Sequence, residues 1–271
     1  MRRKDFFEFK QFTIDQRNAA MKVGTDSDLL GALAAGGTHI LDIGTGTGVI
    51  SLMLAQRCPD ATITAVEIDD HAIIDAAANF AASAWADRLS LVHASFQDFF
   101  AARQAEGTLG AFDCVVCNPP YFDKSLECPD DSRTRARHSS SLPFSTGQAS
   151  AKSRLPDDSR TRARHSSSLP FSTLAKGAYA MLGDEGVFSV CIPGEVLSDF
   201  SAECFLQGFW LQDIYRIKTL PTKEAKRFVL VFKKGASTPR REHTHCMRCA
   251  DGRRSDWYLQ LMEPFHIGST K

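Results

Sequence analysis

Apolar runs and helical patterns alternate along the middle of the chain, and this alternation predicts a parallel β-sheet with crossover helices. Seven apolar runs predict strands, over residues 39–43, 62–68, 89–94, 112–117, 186–192, 211–219 and 228–233. Helical patterns lie near residues 49–57, from 70 onward, over 172–182 and over 195–206. Asp70 is a candidate N-cap, and Gly183 is a typical helix stop. The pattern therefore predicts an α/β fold whose seven-stranded sheet ends in a pair of terminal strands.

One segment of the sequence occurs twice. Residues 129–146 recur letter for letter as residues 156–173, at an offset of 27 positions. Two copies are too few for a solenoid, so the repeat is typical of a tandem duplication that leaves about 27 residues surplus to the fold. We expect two parts: an N-terminal segment, residues 1–38, that covers the ligand site, and a main domain, residues 39–271. We call the first part the covering segment. A poorly ordered loop over about 129–173 interrupts the main domain in this prediction.

The composition fits a globular enzyme, with 43% hydrophobic and 24% charged residues, and it excludes a disordered, collagenous or coiled-coil chain. The 32 basic and 32 acidic residues cancel, but their distribution is uneven. Residues 1–22, 129–173 and 233–254 carry net charges of +3, +4 and +5, so the remainder carries −12. These segments are either three solvated surface stretches or, if they meet in space, a binding surface for a polyanion.

Cysteine content and hydropathy predict the cellular setting. Eight cysteines in 271 residues are too few for a disulfide scaffold. Asp5, Glu8 and Lys10 interrupt any apolar signal-peptide region near the start. No uncharged stretch approaches the roughly 20 apolar residues needed to span a bilayer. We therefore expect a soluble protein of the reducing cytoplasm that does not associate with a membrane.

Potential metal ligands cluster near the C-terminus, where His243, His245, Cys246 and Cys249 occur within seven residues. Four such side chains are enough for a zinc site, but a second ligand pair at zinc-finger spacing is missing. Neighbouring side chains of a strand face opposite ways. We therefore assign this stretch to a final strand and expect no metal.

A glycine-rich turn connects the first predicted strand to the first predicted helix, in the run Asp42-Ile43-Gly44-Thr45-Gly46-Thr47-Gly48. Glycines there allow positive φ and the close approach of a ligand, and the N–H groups of the following helix can hold an anion. Glu67 ends the next strand, where its carboxylate can accept both hydroxyls of a ribose. The simpler interpretation is a structural turn and a surface carboxylate.

The turn, the acid and the strand order together resemble motifs I and II of the class I S-adenosylmethionine methyltransferases. The resemblance implies a Rossmann-like sheet with an antiparallel terminal strand, and S-adenosyl-L-methionine as the cofactor. It implies that the glycine turn holds the methionine end and that Glu67 binds the ribose. Ser95 replaces the acid that binds the adenine amine in many members, and Asp98 is the alternative partner or a helix cap. The implied cofactor contacts are Asp42, Gly44, Gly46, Gly48, Glu67, Ile68, Ser95, Phe96 and Asn118.

The run Asn118-Pro119-Pro120-Tyr121 follows the fourth predicted strand, and it resembles the signature of amino-methyltransferases. Two prolines fix an extended backbone that cannot continue the strand ladder. The Asn118 side-chain oxygen and the Pro119 carbonyl can each accept an N–H from an amine attached to a ring, and Tyr121 can stack on that ring. These four residues, Pro120 included, are the predicted catalytic group, and a simple tight turn is the alternative.

The N-terminal segment indicates which molecule accepts the methyl group. Phe9-Lys10-Gln11-Phe12, Ala20-Met21-Lys22-Val23-Gly24-Thr25-Asp26 and Leu29-Leu30-Gly31 resemble the bacterial tRNA adenine-N6 methyltransferases that modify valine tRNA next to its anticodon. The resemblance places Lys22, Thr25 and Asp26 over the methionine end of the cofactor. Read from the residues alone, Thr25 or Asp26 is a helix N-cap.

The same family has an Arg-Ala-Arg stretch after the tetrad, which the duplication makes double here. The resemblance implies that Arg135, Arg137, Arg162 and Arg164 contact tRNA phosphates; a charged surface loop is the alternative. We expect a monomeric enzyme that methylates N6 of an adenine in tRNA. The competing hypotheses are guanine-N2 methylation of rRNA, glutamine methylation of a protein, and tRNA binding without catalysis because the repeat blocks the crevice.

Overall fold

The computed structural model describes residues 5–119, 169–235 and 239–267. A two-stranded hairpin, β1 (Phe6–Glu8) and β2 (Thr13–Asp15), precedes one large sheet. Its strands are β3 (His39–Ile43), β4 (Thr62–Glu67), β5 (Leu89–His93), β6 (Phe112–Cys117), β7 (Leu182–Pro193), β8 (Trp210–Lys218), β9 (Ala225–Lys233) and β10 (Arg241–Cys246). The helices are α1 (Thr25–Leu33), α2 (Val49–Arg57), α3 (Ala72–Ala81), α4 (Phe96–Ala105), α5 (Phe171–Met181), α6 (Leu197–Leu206) and α7 (Asp256–Met262).

The sheet has the strand order β10-β8-β9-β7-β6-β3-β4-β5. Strands β5, β4, β3, β6 and β7 run parallel, and β9 is antiparallel to both β7 and β8. This arrangement confirms the predicted α/β, Rossmann-like fold. The predicted number of seven strands was wrong, because β10 pairs in parallel with β8 and adds an eighth strand at the edge.

Several predicted boundaries hold, but three local predictions were wrong. Helix α3 begins after His71 rather than Asp70, and the carboxylate that accepts the backbone N–H groups of His71 and Ala72 belongs to Asp69. Gly183 does not stop a helix: α5 ends at Met181, and Gly183 lies inside β7 because β7 already pairs with β6 at Leu182. The third error, at the start of α1, concerns the site and is described there.

Both faces of the sheet are covered by apolar side chains. The hairpin, α1, α2 and α7 pack on one face, where Ile14, Leu29, Leu52 and Met262 are fully buried. The other face carries α4, α5 and α6, and its core is a group of phenylalanine rings, Phe188, Phe200, Phe209 and Phe232, with centroids 5.6 to 6.4 Å apart. Residues of the predicted covering segment therefore share a core with the sheet.

The end of the second repeat copy belongs to the fold. Leu169 and Pro170 precede α5, and the ring of Phe171 packs edge-to-face on Phe200 with centroids 5.1 Å apart. Residues 169–173 are therefore not part of a poorly ordered loop, because Leu169 and Phe171 pack against the core and residues 171–173 begin a helix. The rest of that prediction lies outside the described residues.

The described helices are short, and the longest, α5, has 11 residues. Within residues 5–119, 169–235 and 239–267, no helix has the length and apolar character that crossing a membrane requires.

Candidate active site

A cavity of about 690 Å³ lies beyond the carboxyl ends of β3, β4, β5 and β6. Open α/β sheets bind their ligands at this edge. Its floor is formed by the last residues of three strands, Ile43, Glu67 and Cys117, and by the glycine turn. The site residues predicted from the sequence can therefore be compared with the lining of one cavity.

The three glycines of the turn have positive φ values of 71° at Gly44, 59° at Gly46 and 83° at Gly48. Gly44 and Gly46 line the cavity, and a Cβ at either position would meet no protein atom within 4 Å. A Cβ at Gly48 would lie 2.4 Å from the ring of Phe80. Two glycines thus keep space open on the cavity side, which fits a ligand held against the backbone, whereas Gly48 allows a helix to pack closely.

The buried side chain of Asp42 stabilises the glycine turn through hydrogen bonds. The side chain is fully buried, and Oδ2 accepts hydrogen bonds of 2.7 Å from the hydroxyls of Thr45 and Ser51. Oδ1 has no hydrogen-bond partner among the described residues. Burial raises the pKa of Asp42 to about 6, although the two hydroxyl donors oppose this rise. Asp42 is not among the described residues that line the cavity, so its contact with a cofactor stays a prediction.

Glu67 joins the turn to the end of β4. Its carboxylate accepts three backbone N–H groups, from Gly46 at 2.7 Å, Ile68 at 2.9 Å and Asp69 at 2.8 Å. A carboxylate offers about four acceptor positions, so this conformation leaves one for a ligand hydroxyl. Binding both hydroxyls of a ribose requires Glu67 to release one backbone donor.

Ile68, Ser95 and Phe96 line the side of the cavity next to Glu67. Ile68 is 44% exposed despite its apolar side chain, which therefore offers contact area to a ligand. Ser95 is the N-cap of α4: its hydroxyl accepts the backbone N–H of Asp98 at 3.0 Å and donates to the Asp98 carboxylate at 2.6 Å. Asp98 is thus a partner of the cap rather than the cap itself.

Asn118 and Pro119 follow the last residue of β6 and line the cavity. They stand next to the glycine turn, because β6 is the direct neighbour of β3 in the sheet. Pro120 and Tyr121 lie outside the described residues, and so do Arg135, Arg137, Arg162 and Arg164. Their predicted roles stay predictions.

A second wall of the cavity comes from the N-terminal segment, through Ala19, Ala20 and Met21. Asp75 holds this segment, because its buried carboxylate accepts the backbone N–H of Ala19 at 2.7 Å and that of Asn18 at 3.0 Å. The Asn18 amide adds a third hydrogen bond of 2.7 Å.

Asn79 completes this connection one helical turn further along α3. Its amide bonds to the backbone N–H and carbonyl of Asp15 and to the carbonyl of Thr47 in the glycine turn. Sequence reasoning missed both Asp75 and Asn79. The available signal was their position on the same helix face as Ala76 and Phe80, which are buried.

Lys22, Thr25 and Asp26 are not among the described residues that line the cavity. The Lys22 ammonium donates to the Gln16 carbonyl, and Asp26 forms an ion pair with Arg227. The N-cap prediction was wrong here: Gly24 caps α1 and Thr25 is its first residue. The reason is Ser27, whose hydroxyl accepts the Gly24 N–H and donates to the Gly24 carbonyl. Contacts of these three residues with a cofactor stay predictions.

The histidines near the C-terminus belong to β10, as predicted for a final strand. His243 lies 3.1 Å from the Asp213 carboxylate and stacks on Tyr215, whereas His245 stacks on Trp257. Among the described residues, no group of three or more His, Cys, Asp or Glu side chains is arranged to hold a metal ion.

The model of the methyltransferase small domain family matches residues 20–130, which include the glycine turn, Glu67 and Asn118. A solved structure, a predicted O-methyltransferase from Agrobacterium tumefaciens, superposes with a TM-score of 0.61 at 19% identity. It covers 89% of this chain and 96% of its own. The fold and the site therefore define a class I methyltransferase.

Two curated relatives are more similar in sequence, and both are named tRNA1(Val) (adenine(37)-N6)-methyltransferase. The protein of Phocaeicola vulgatus is 42% identical over 230 residues, which cover 84% of this chain and 83% of the relative. The protein of Porphyromonas gingivalis is 35% identical over 98% of this chain and 96% of the relative. The chain belongs to the tRNA1(Val) (adenine(37)-N6)-methyltransferase family, which confirms the resemblance found in its motifs.

Proposed function

We propose that this protein transfers a methyl group from S-adenosyl-L-methionine to N6 of adenine 37, next to the anticodon of valine tRNA. The observation that carries the proposal is the position of Asn118 and Pro119 on the wall of the cavity that also contains the glycine turn. The names of the relatives in Phocaeicola vulgatus and Porphyromonas gingivalis give the same substrate and the same reaction.

The residues of the cavity fit the proposed cofactor. The backbone at Gly44 and Gly46 is open for the methionine end, because neither position has a side chain that would fill the space. Glu67 offers an acceptor to the ribose, and Ile68 and Phe96 offer apolar area to the adenine. When bound, S-adenosyl-L-methionine supplies a methyl group made electrophilic by a sulfonium.

Asn118 and Pro119 orient the acceptor in this mechanism. The N6 amine of adenine is a poor nucleophile because its lone pair is delocalised into the ring. The Asn118 side-chain oxygen and the Pro119 carbonyl each accept one N–H, so that the lone pair faces the methyl donor. Neither group ionises, and neither needs to, because the proton leaves after methyl transfer. Catalysis therefore depends on alignment and fixed dipoles.

Insertion of the target base into the pocket costs little free energy. A base next to the anticodon is unpaired, so its insertion into a pocket does not require a base pair to be broken. We further propose that Tyr121 stacks on this base and that the arginines at 135, 137, 162 and 164 contact phosphates, as the family resemblance implies. We also propose that the protein acts as a monomer in the cytoplasm, where tRNA and free thiols occur together.

A labelling experiment tests the proposal. The protein is incubated with tritiated S-adenosyl-L-methionine and unmodified valine tRNA transcript, and the product is digested to nucleosides. We expect the label in N6-methyladenosine and no label when the transcript carries guanine in place of adenine 37. Label in guanosine or in protein, or no label at all, would reject the proposed reaction.

A further inference from the structure

Two loops carry exposed cations at the carboxyl edge of the sheet, beside the active site. One connects β8 to β9 and the other follows β10, and they are joined by backbone hydrogen bonds from Met247 to Lys218 (2.9 Å) and from Arg248 to Thr219 (3.1 Å). We call five cations the basic edge: Lys223, Arg248 and Arg254 on these loops, and Lys218 and Lys226 at the adjoining ends of β8 and β9.

The cations of the basic edge differ from their neighbours in lacking carboxylate partners. Arg227 is paired with Asp26, and Arg253 is paired with Asp251. None of the five forms an ion pair with another residue of the described parts of the chain. Arg248 bonds only to a carbonyl, and the Arg254 guanidinium lies 5.5 Å from the Tyr258 ring centroid. Four of the five side chains are exposed, and Lys218 is half-buried.

The strand order places the basic edge on the same side of the sheet as Asn118. Strand β6, which Asn118 follows, is separated from β9 only by β7, and β8 and β10 come next. Neighbouring strands lie about 4.8 Å apart, so the basic edge lies roughly 10 to 19 Å from the end of β6. A nucleotide at Asn118 and the phosphates a few nucleotides away in the same chain span this distance.

Backbone hydrogen bonds also hold the loop after β10. The Cys249 N–H donates to the Arg253 carbonyl at 2.8 Å, and the Ser255 N–H donates to the Met247 carbonyl at 2.9 Å. Beneath it, the rings of His245 and Trp257 stack in parallel, with centroids 4.2 Å apart and an interplanar angle of 2°. A loop held in this way loses little backbone entropy when its side chains bind a ligand.

We infer that the basic edge is a phosphate-binding surface that holds the tRNA backbone beyond the target adenine. The inference rests on the proposed function, because tRNA is the polyanion that the active site would bring to this edge. Exposed lysine and arginine side chains without carboxylate partners gain the most from phosphate contacts, since no existing ion pair is broken. Such contacts position the substrate and release counterions, so binding becomes dependent on salt.

The test compares two double variants with the same change of charge. Lys226→Ala with Arg248→Ala removes two cations of the basic edge. Lys233→Ala with Arg240→Ala removes two cations at the opposite edge, where they pair with Glu185 and Glu242. Binding of valine tRNA transcript is measured by filter binding across a range of KCl concentrations, and the KM for S-adenosyl-L-methionine is measured in parallel.

We expect the basic-edge variant to bind tRNA at least about tenfold more weakly and to lose about two units of salt slope. Its KM for S-adenosyl-L-methionine stays at the wild-type value, and the control variant binds tRNA like the wild type. Unchanged tRNA affinity and slope, or an equal loss in the control, overturns the inference. The proposed function fails separately, if the wild type forms no N6-methyladenosine in tRNA.

Discussion

The carboxylate of Asp75 in α3 accepts a 2.7 Å hydrogen bond from the backbone N–H of Ala19 in the cavity wall. Asp75 is 1% exposed and also accepts the backbone and side-chain N–H groups of Asn18. A helix that packs on the sheet therefore holds a segment that has no regular secondary structure of its own. This contact positions one wall of the cavity.

Replacement of Asp75 tests this dependence. We expect Asp75→Asn to weaken S-adenosyl-L-methionine binding about tenfold, because the loss of a hydrogen bond to a charged acceptor costs about 1 to 3 kcal/mol. The kcat at saturating cofactor should stay within about twofold of the wild type. Isothermal titration and steady-state kinetics measure both quantities. Asp70→Asn is the matched control, since the Asp70 side chain is 87% exposed; an equal loss in that variant contradicts the assigned role.

Two glycines of the turn can be compared with Gly107, a glycine outside it, by alanine substitutions at positive φ. Gly46→Ala should abolish most cofactor affinity, because its Cβ enters the cavity. Gly107→Ala, also at positive φ with open space around it, reports the backbone strain alone, on the order of 1 to 2 kcal/mol. Gly48→Ala should destabilise the fold further, since its Cβ would contact the Phe80 ring.

Cofactor titration and urea denaturation of the three glycine variants separate these effects. The interpretation of the turn fails if Gly46→Ala binds the cofactor as tightly as Gly107→Ala does.

The buried carboxyl of Asp42 should make stability depend on pH with a defined sign. Its pKa is raised from 3.8 to about 6 by burial, so the folded state holds the proton more tightly than the unfolded chain. The free energy of unfolding therefore falls as the pH rises from about 4 to about 6, and this loss is complete above that range.

Asp42→Asn removes this titration while keeping an oxygen for the hydroxyls of Thr45 and Ser51. The stability of the wild type relative to the variant should therefore decrease by about 2 to 3 kcal/mol between pH 4 and pH 7. Urea denaturation at intervals across this range gives the difference. A difference that does not change with pH contradicts the raised pKa.

Asn118 should be needed for catalysis but not for cofactor binding. We expect Asn118→Ala to reduce the rate of methyl transfer to tRNA by at least about 100-fold, because one positioned acceptor of the amine is lost. The affinity for S-adenosyl-L-methionine should change by less than about threefold. Single-turnover assays and titration calorimetry measure the two. Wild-type rates in the variant would remove Asn118 from the mechanism.

The sequence predicted those parts of the fold that depend on local pattern. The bounds of β3 (His39–Ile43), α2 (Val49–Arg57) and β6 (Phe112–Cys117) match their predictions, because each element is followed closely by a glycine or a proline that cannot continue it. The same pattern placed Gly44, Glu67 and Asn118 together, since parallel strands end at one edge of the sheet.

Contacts between segments that are distant in the sequence could not be predicted from local pattern. The pairing of β10 with β8 places Arg241 beside Asp213 although β9 comes between the two strands in the sequence, and no local periodicity encodes it. Likewise, Asp75 has the sequence context of a surface carboxylate in an Ala-rich helix until Asn18 and Ala19 are brought against it. The start of α1 was missed because its cap depends on Ser27 rather than on the residue at the cap.

Many groups that line the cavity lie at a strand end or just past it, whereas the middle of β6 is buried. Val115 and Val116 in β6 are fully buried, and Asn118 follows two residues later outside the ladder. Exchange of a side chain at such a position therefore leaves the buried apolar core unchanged. Because the ligand-facing residues are separate from the core, substitutions that change substrate preference should change the free energy of unfolding little.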